Sequence, residues 1–287
     1  MIQIIKSKIA FFDIDGVLTE GDVYVQNVSP KITDESIRIL KKFKKNGFKL
    51  VFITARSIRE LRIGNGFISR LKKENLFNES LIFGALGLDQ LSSTYEFKTK
   101  KSKIVFKNQN AVLIKKYVIK RETFSTLDQF LLYKMLIGKE LNQQLKYNGI
   151  KTKPALVEEL VGDARICFEL ENNTNKERAK AINILKKLVK EQKKFFEITK
   201  KFGSPVELVV QDIKTGIAIY PIELGKHLGV LRALNKFKIE PSNKIIAYAF
   251  GDKDSDSQMK IRKDITFVKV NSNKDFVKKS EKLLKNF

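Results

Sequence analysis

The sequence predicts an α/β protein, a doubly wound, Rossmann-like parallel sheet into which an α+β domain is inserted. Three observations carry that prediction. Short continuous apolar runs alternate with segments of helical spacing at the start of the chain and again at its end, as expected of strands buried on both faces. Between about Leu88 and Thr215 this alternation gives way to strand-like segments mixed with long helical ones, the pattern of a separate α+β unit. Acidic clusters follow two of the apolar runs, at the carboxyl ends where open α/β sheets bind ligands.

Ile9 to Asp13 (Ile-Ala-Phe-Phe-Asp) is the first strand. Thr33 to Lys45 reads as a helix. Asp34 and Glu35 favour its first turn, Ile37, Leu40 and Phe43 recur at helical spacing, and Gly47 stands just past its end. Leu50 to Ile53 is a second strand, Ser57 to Lys73 a second helix weakened by Gly64 and Gly66, and Ser80 to Phe83 a third strand. The inserted part reads as hairpin-like segments (Tyr95 to Lys98, Lys103 to Lys107, Ala111 to Lys120) and a helix near Ser125 to Tyr147. A strand at Arg165 to Leu170, a helix at Lys176 to Gln192, and strands at Phe195 to Thr199, Val206 to Val210 and Ile217 to Tyr220 follow. The alternation then returns: a helix from Lys226 to Phe237, a strand at Ile245 to Phe250, a helix after Asp256, a strand at Ile265 to Val270 and a closing helix. The expected domains are 1–87 with 217–287, and 88–216.

Composition narrows the chemistry. A chain of 287 residues, 43% apolar with 21 Phe, is long enough for one or two domains with a substantial core. Cys167 is the only cysteine, which excludes an internal disulfide and a cysteine-built zinc site, and His227 is the only histidine. No apolar run approaches the ~18 residues of a membrane span, and Met1 to Lys6 carry no cleavage signal. The expectation is a soluble protein of a reducing, cytoplasmic compartment, with no membrane partner. The net charge of +24 comes from 56 basic residues, only ten of them arginine, spread from end to end. A nucleic-acid surface would mix in more arginine and gather it on one face. The charge therefore reads as compositional. Nucleic-acid binding stays as an alternative, with Phe97, Phe106 and Tyr117 as stacking platforms in the stretch Tyr95 to Arg121.

The densest chemistry is Asp13-Ile14-Asp15-Gly16-Val17-Leu18-Thr19. Gly16 lets the chain turn at the strand end so that both carboxylates line one crevice; the same fragment also reads as an ordinary Asp-Gly turn. Gly251-Asp252-Lys253-Asp254-Ser255-Asp256 follows a second apolar run. It is not an EF-hand, because Ser257 holds the position that needs Gly and Lys263 the one that needs Glu. Carboxylates gathered in this way repel one another unless a divalent cation sits among them, and an all-oxygen set favours Mg²⁺.

With these residues in view, the sequence resembles the haloacid dehalogenase superfamily of phosphatases and phosphomutases, in the subclass with a large α+β cap between the second and third motifs. Asp13 to Thr19 resembles the first motif, Phe52-Ile53-Thr54-Ala55-Arg56 the second, Lys226 with its helix the third, and Gly251-Asp252 through Asp256 and Met259 the fourth. His227, Ser255 and Ala55 depart from the Gly, Asn and Gly common in the family. The resemblance implies phosphoryl transfer through an aspartyl-phosphate. Asp13 would be the nucleophile and Asp15 the general acid and base. Asp252 and Asp256 would hold Mg²⁺ with Asp13 and the Asp15 carbonyl, while Thr54, Lys226 and Ser255 bind the phosphoryl group. Arg56 is a candidate substrate ligand, and residues 88–216 become the cap that sets specificity. By position alone Lys226 reads equally as a solvated helix start, Thr54 as a helix cap and Arg56 as a surface cation. The implied substrate is a small phosphorylated metabolite such as a sugar phosphate or phosphoglycolate, and a sugar phosphomutase is the alternative within the fold.

Overall fold

In the computed structural model, which describes residues 7–21, 28–56, 58–84, 89–91, 138–153, 166–191, 208–213, 216–221 and 225–287, the apolar runs become the strands of one sheet. They are β1 (Ser7–Phe12), β2 (Phe48–Ile53), β3 (Ser80–Gly84), β4 (Asp89–Leu91), β8 (Ile245–Gly251) and β9 (Ile265–Lys269), in the order β4-β3-β2-β1-β8-β9. All pair in parallel except β4, which runs antiparallel along β3. Phe12 of β1 lies level with Phe52 on one side and Phe250 on the other. The chain leaves β1 toward β2 and β3, then returns on the opposite flank at β8. The β1/β8 boundary is therefore the topological switch point, where the loops diverge and leave a crevice.

Alternate residues of β1 serve the two faces, as strand geometry requires. Ile9 and Phe11 join Val51, Ile53, Phe83 and Ala249 beneath Val230, Ala233 and Leu234 of α5 (Lys226–Lys236). On the other face Phe12 stacks on Phe250 at 5.4 Å. The pair meets Phe43 of α1 (Asp34–Lys45) and Phe276 of α6 (Asn273–Leu284) edge-on. These four rings are fully buried, and each contributes about 1.5–3 kcal/mol of transfer free energy. The expected first helix forms as Asp34–Lys45, with Thr33 as N-cap accepting from the Ser36 N–H at 3.1 Å.

Three expectations need correction. Ser57 to Lys73 is not one helix: α2 (Ile58–Leu61) and α3 (Phe67–Lys73) are separated by a turn in which Gly64 takes φ +55° and Gly66 caps α3. No α-helix lies between Asp256 and β9. Instead a 3₁₀ helix, Asp254–Met259, contains it, because the Asp256 carboxylate bonds back to the Lys253 N–H at 3.0 Å. The domain limits also move. Asp89–Leu91 pairs with β3 in the large sheet. Ile217–Pro221, placed above with the core, pairs instead with its antiparallel neighbours in a second sheet. By internal contacts the chain divides into one unit of Met1–Lys101 with Gly225–Phe287 and another of Ser102–Leu224.

That second unit contains β5 (Ile166–Phe168), β6 (Leu208–Asp212) and β7 (Ile217–Pro221) in the order β5-β7-β6, with α4 (Asn175–Glu191) packed on β6. Residues 138–147 are helical. Arg178, 8% exposed, ties the start of α4 to Asp212 at the end of β6, with its Nε 3.1 Å from the carboxylate. The hairpin-like segments at 95–120, with Phe97, Phe106 and Tyr117, and the strand expected at 195–199 lie outside the described residues. Cys167, the one cysteine of the sequence, forms no internal disulfide. Among the described residues no helix is long and apolar enough to cross a membrane.

Candidate active site

The switch point gathers the acidic residues. Past the end of β1, the Asp13 N–H donates to the Phe250 carbonyl at 2.9 Å, extending the β1/β8 pairing by one residue. Gly16 then takes φ +78°, a left-handed turn that favours glycine. A Cβ there would lie 2.6 Å from the Asp252 carboxylate, so glycine is also what lets the two acidic loops touch. Gly251 plays the same part within its own loop, where a Cβ would lie 2.2 Å from that of Asp256. Asp13, Asp252 and Asp256 thereby bring one carboxylate oxygen each within 4.8 Å of one another.

Lys226, the first residue of α5, enters the same space. Its Nζ lies 2.7 Å from Asp13 Oδ2 and 2.6 Å from Asp256 Oδ1, with all three side chains nearly inaccessible. Burial works against its charge, but Asp13 and Asp256 outweigh burial and raise its pKa, so the ammonium stays protonated. Burial likewise pushes Asp13 well above the usual carboxylate range; Lys226 pulls it back only in part, and Asp256 and Asp252 push it further up. The Lys226 ammonium is shared by Asp13 and Asp256, with the Asp252 carboxylate beside them. An all-oxygen, anionic, tightly spaced set of this kind suits Mg²⁺.

On the neighbouring strand, Thr54 continues β2 by donating its N–H to the Phe83 carbonyl at 2.9 Å. Its buried hydroxyl accepts from the Arg56 N–H at 3.1 Å, an arrangement that leaves the hydroxyl hydrogen to donate. Arg56 is 3% exposed and grips Asp15 with two nitrogens, Nε to Oδ2 at 2.8 Å and Nη2 to Oδ1 at 2.9 Å, while Nη1 donates to the Val28 carbonyl at 2.8 Å. No local signal links the members of this pair, which stand 41 residues apart. Ser255 is half-buried in the 3₁₀ turn. Asp254 points out to Lys269, and His227 is half-buried.

The same topology recurs in solved structures. An N-terminally truncated Plasmodium falciparum IMP-nucleotidase superposes with a TM-score of 0.58 at 13% identity, over 96% of this chain and 70% of that one. An IMP-bound mutant of that enzyme gives 0.59 at 12% identity, over 97% and 67%. A Thermoplasma acidophilum protein gives 0.51 at 13%, over 98% and 100%. The chain shares their fold, a Rossmann-like parallel sheet flanked by helices. A family model described as the LNS2 domain of PITM 1-3 matches residues 10–126. A comparison with curated proteins gives no match. The four motif-like segments occupy the end of β1, the end of β2, the start of α5 and the end of β8.

Proposed function

We propose that the chain is a Mg²⁺-dependent phosphatase of the haloacid dehalogenase superfamily, hydrolysing a small phosphorylated metabolite of the sugar-phosphate or phosphoglycolate class. The observation that carries this reading is the buried Asp13 carboxylate at the switch point, paired with Lys226 and flanked by Asp252 and Asp256. In this reading an Asp13 oxygen attacks phosphorus, the bond to the leaving oxygen breaks, and an aspartyl-phosphate forms. Asp15 gives its proton to the leaving oxygen and later takes one from the water that hydrolyses the intermediate. Both Asp15 oxygens accept from Arg56 in the structure, so delivering a proton means giving up one of those bonds. Lys226 and the Thr54 hydroxyl stabilise charge on the phosphoryl oxygens. Asp13, Asp252, Asp256 and the Asp15 carbonyl would hold Mg²⁺. When bound, the metal would neutralise charge between an anionic nucleophile and an anionic substrate. The unit Ser102–Leu224 is proposed to select the leaving group.

The test is hydrolysis of an aryl phosphate and a panel of sugar phosphates, phosphoglycolate and nucleoside monophosphates, with Mg²⁺ or with EDTA. Asp13→Asn should keep its fold by circular dichroism and lose about 10⁴-fold or more in kcat. Near-normal turnover by that variant, or undiminished turnover in EDTA, would overturn the assignment.

A further inference from the structure

Ser29 belongs to none of the motif-like segments, yet it is 5% exposed and fully engaged. Its hydroxyl donates to the Leu61 carbonyl at the end of α2, at 3.2 Å, and accepts from the N–H of Phe67, the first residue of α3, at 3.0 Å. That N–H is one of those a helix leaves open at its start. The cap residue of α3 is Gly66, which has no side chain to fill the role. A Cβ on Gly66 would lie 2.0 Å from both the Cβ and Oγ of Ser29. The α2–α3 junction is shaped around a serine hydroxyl that arrives from another part of the chain.

The residue before it, Val28, lends its carbonyl to Arg56 Nη1. The guanidinium is flat and rigid, so fixing one nitrogen fixes the direction in which the others point. Those others, Nε and Nη2, hold the two oxygens of Asp15. The contacts form one unbroken series from the helix junction through Ser29, the Val28 carbonyl and Arg56 to Asp15; Ser29 and Arg56 are nearly closed to solvent, whereas Val28 is 48% exposed.

We infer that Ser29 is a positioning residue: it pins residues 28–30 to the α2–α3 junction, and the Val28 carbonyl thereby aims Arg56 and, through it, the Asp15 carboxylate. The catalytic consequence rests on the phosphatase reading above, whereas the coupling itself does not.

The experiment compares Ser29→Ala, Gly66→Ala, Arg56→Lys and the Ser29→Ala/Arg56→Lys double variant in the full chain. Two readouts are used: kcat and KM for p-nitrophenyl phosphate with Mg²⁺, and the ¹H–¹⁵N signal of Arg56 Nε–H, assigned by its loss in Arg56→Lys. Ser29→Ala should lower kcat about tenfold with KM within about twofold, as for a misaimed group rather than lost substrate binding. It should also shift the Nε–H signal and speed its exchange with water. Gly66→Ala, which displaces Ser29 without removing its hydroxyl, should reproduce both changes, and it serves as the test if Ser29→Ala does not fold. In the Arg56→Lys background, adding Ser29→Ala should change kcat little further, because the effect passes through the guanidinium. An unchanged Nε–H signal in Ser29→Ala and Gly66→Ala, or equal losses of kcat with and without Arg56, overturns the inference. A responsive signal in a protein with no phosphatase activity supports the coupling and overturns the phosphatase reading instead.

Discussion

Lys226 is the cation that Asp13 and Asp256 share, and removing it takes that counter-charge from two buried carboxylates. Lys226→Met keeps the bulk of the stem and should destabilise the metal-free protein by about 3–5 kcal/mol, the range for breaking a buried ion pair by deleting one partner. Urea unfolding measures it, and Mg²⁺ should restore part of the loss. Asp13 makes a separate prediction in pH. Burial, with Asp256 and Asp252, raises its pKa above the ordinary value of 3.8. The folded chain therefore holds this proton more tightly than the unfolded chain, and stability falls as pH rises from 3.8 through the raised pKa. The difference in thermal midpoint between wild type and Asp13→Asn, both free of metal, should decline over that window. Mg²⁺ should flatten the decline by displacing the proton. In the sequence these roles are only partly visible. Asp13 and Asp15 stand out through their spacing after an apolar run, whereas Lys226 is one of 46 lysines, and burial rather than residue type distinguishes it. The Arg56–Asp15 pair and the contribution of Ser29 leave no local trace, because both depend on segments that meet only in the folded chain.

At the scale of elements, the site is placed by how closely α5 lies on the sheet. A Cβ on Gly229 would come within 2.8 Å of the Ile53 side chain in β2. Gly229 is one turn past Lys226 on the same helix, so its spacing to the sheet also sets where that ammonium sits. Two effects compete in Gly229→Ala: a gain of up to about 1 kcal/mol in helix propensity, and an overpacking cost of about 1–3 kcal/mol against a β-branched neighbour. Overpacking should win, with a net loss in urea unfolding and a fall in phosphatase activity. The strands were legible because a parallel strand covered on both faces is a continuous apolar run, and Ile9 to Phe12, Leu50 to Ile53 and Ile245 to Phe250 are such runs. The break between α2 and α3 was not, since the residue that caps α3 comes from position 29. Nor was the 3₁₀ turn at Asp254–Met259, which is held by a carboxylate bonding back to the main chain rather than by any apolar period.

At the scale of the molecule, the division at Lys101 and Gly225 separates a sheet carrying the carboxylates from a unit with its own sheet and helices. Replacing residues 102–224 with a short Gly/Ser linker should leave the six-stranded sheet folded by circular dichroism. It should keep slow Mg²⁺-dependent hydrolysis of an aryl phosphate while preference among metabolite phosphates collapses. Retained preference would place selectivity in the core. The insertion was legible in outline, as a change of period near residue 88; its return was misplaced because β7 is apolar enough to pass for a core strand. The strand order has a further consequence, for synthesis. β1 is made long before one of its two neighbours, β8, which follows only after the whole inserted unit. Until then an apolar strand waits with an open edge, a state exposed to wrong pairing. The Asp13 carboxylate at the end of that strand also waits for its partner carboxylates at 252 and 256. The nascent chain therefore lacks the assembled acidic cluster, and acquires it only as β8 docks.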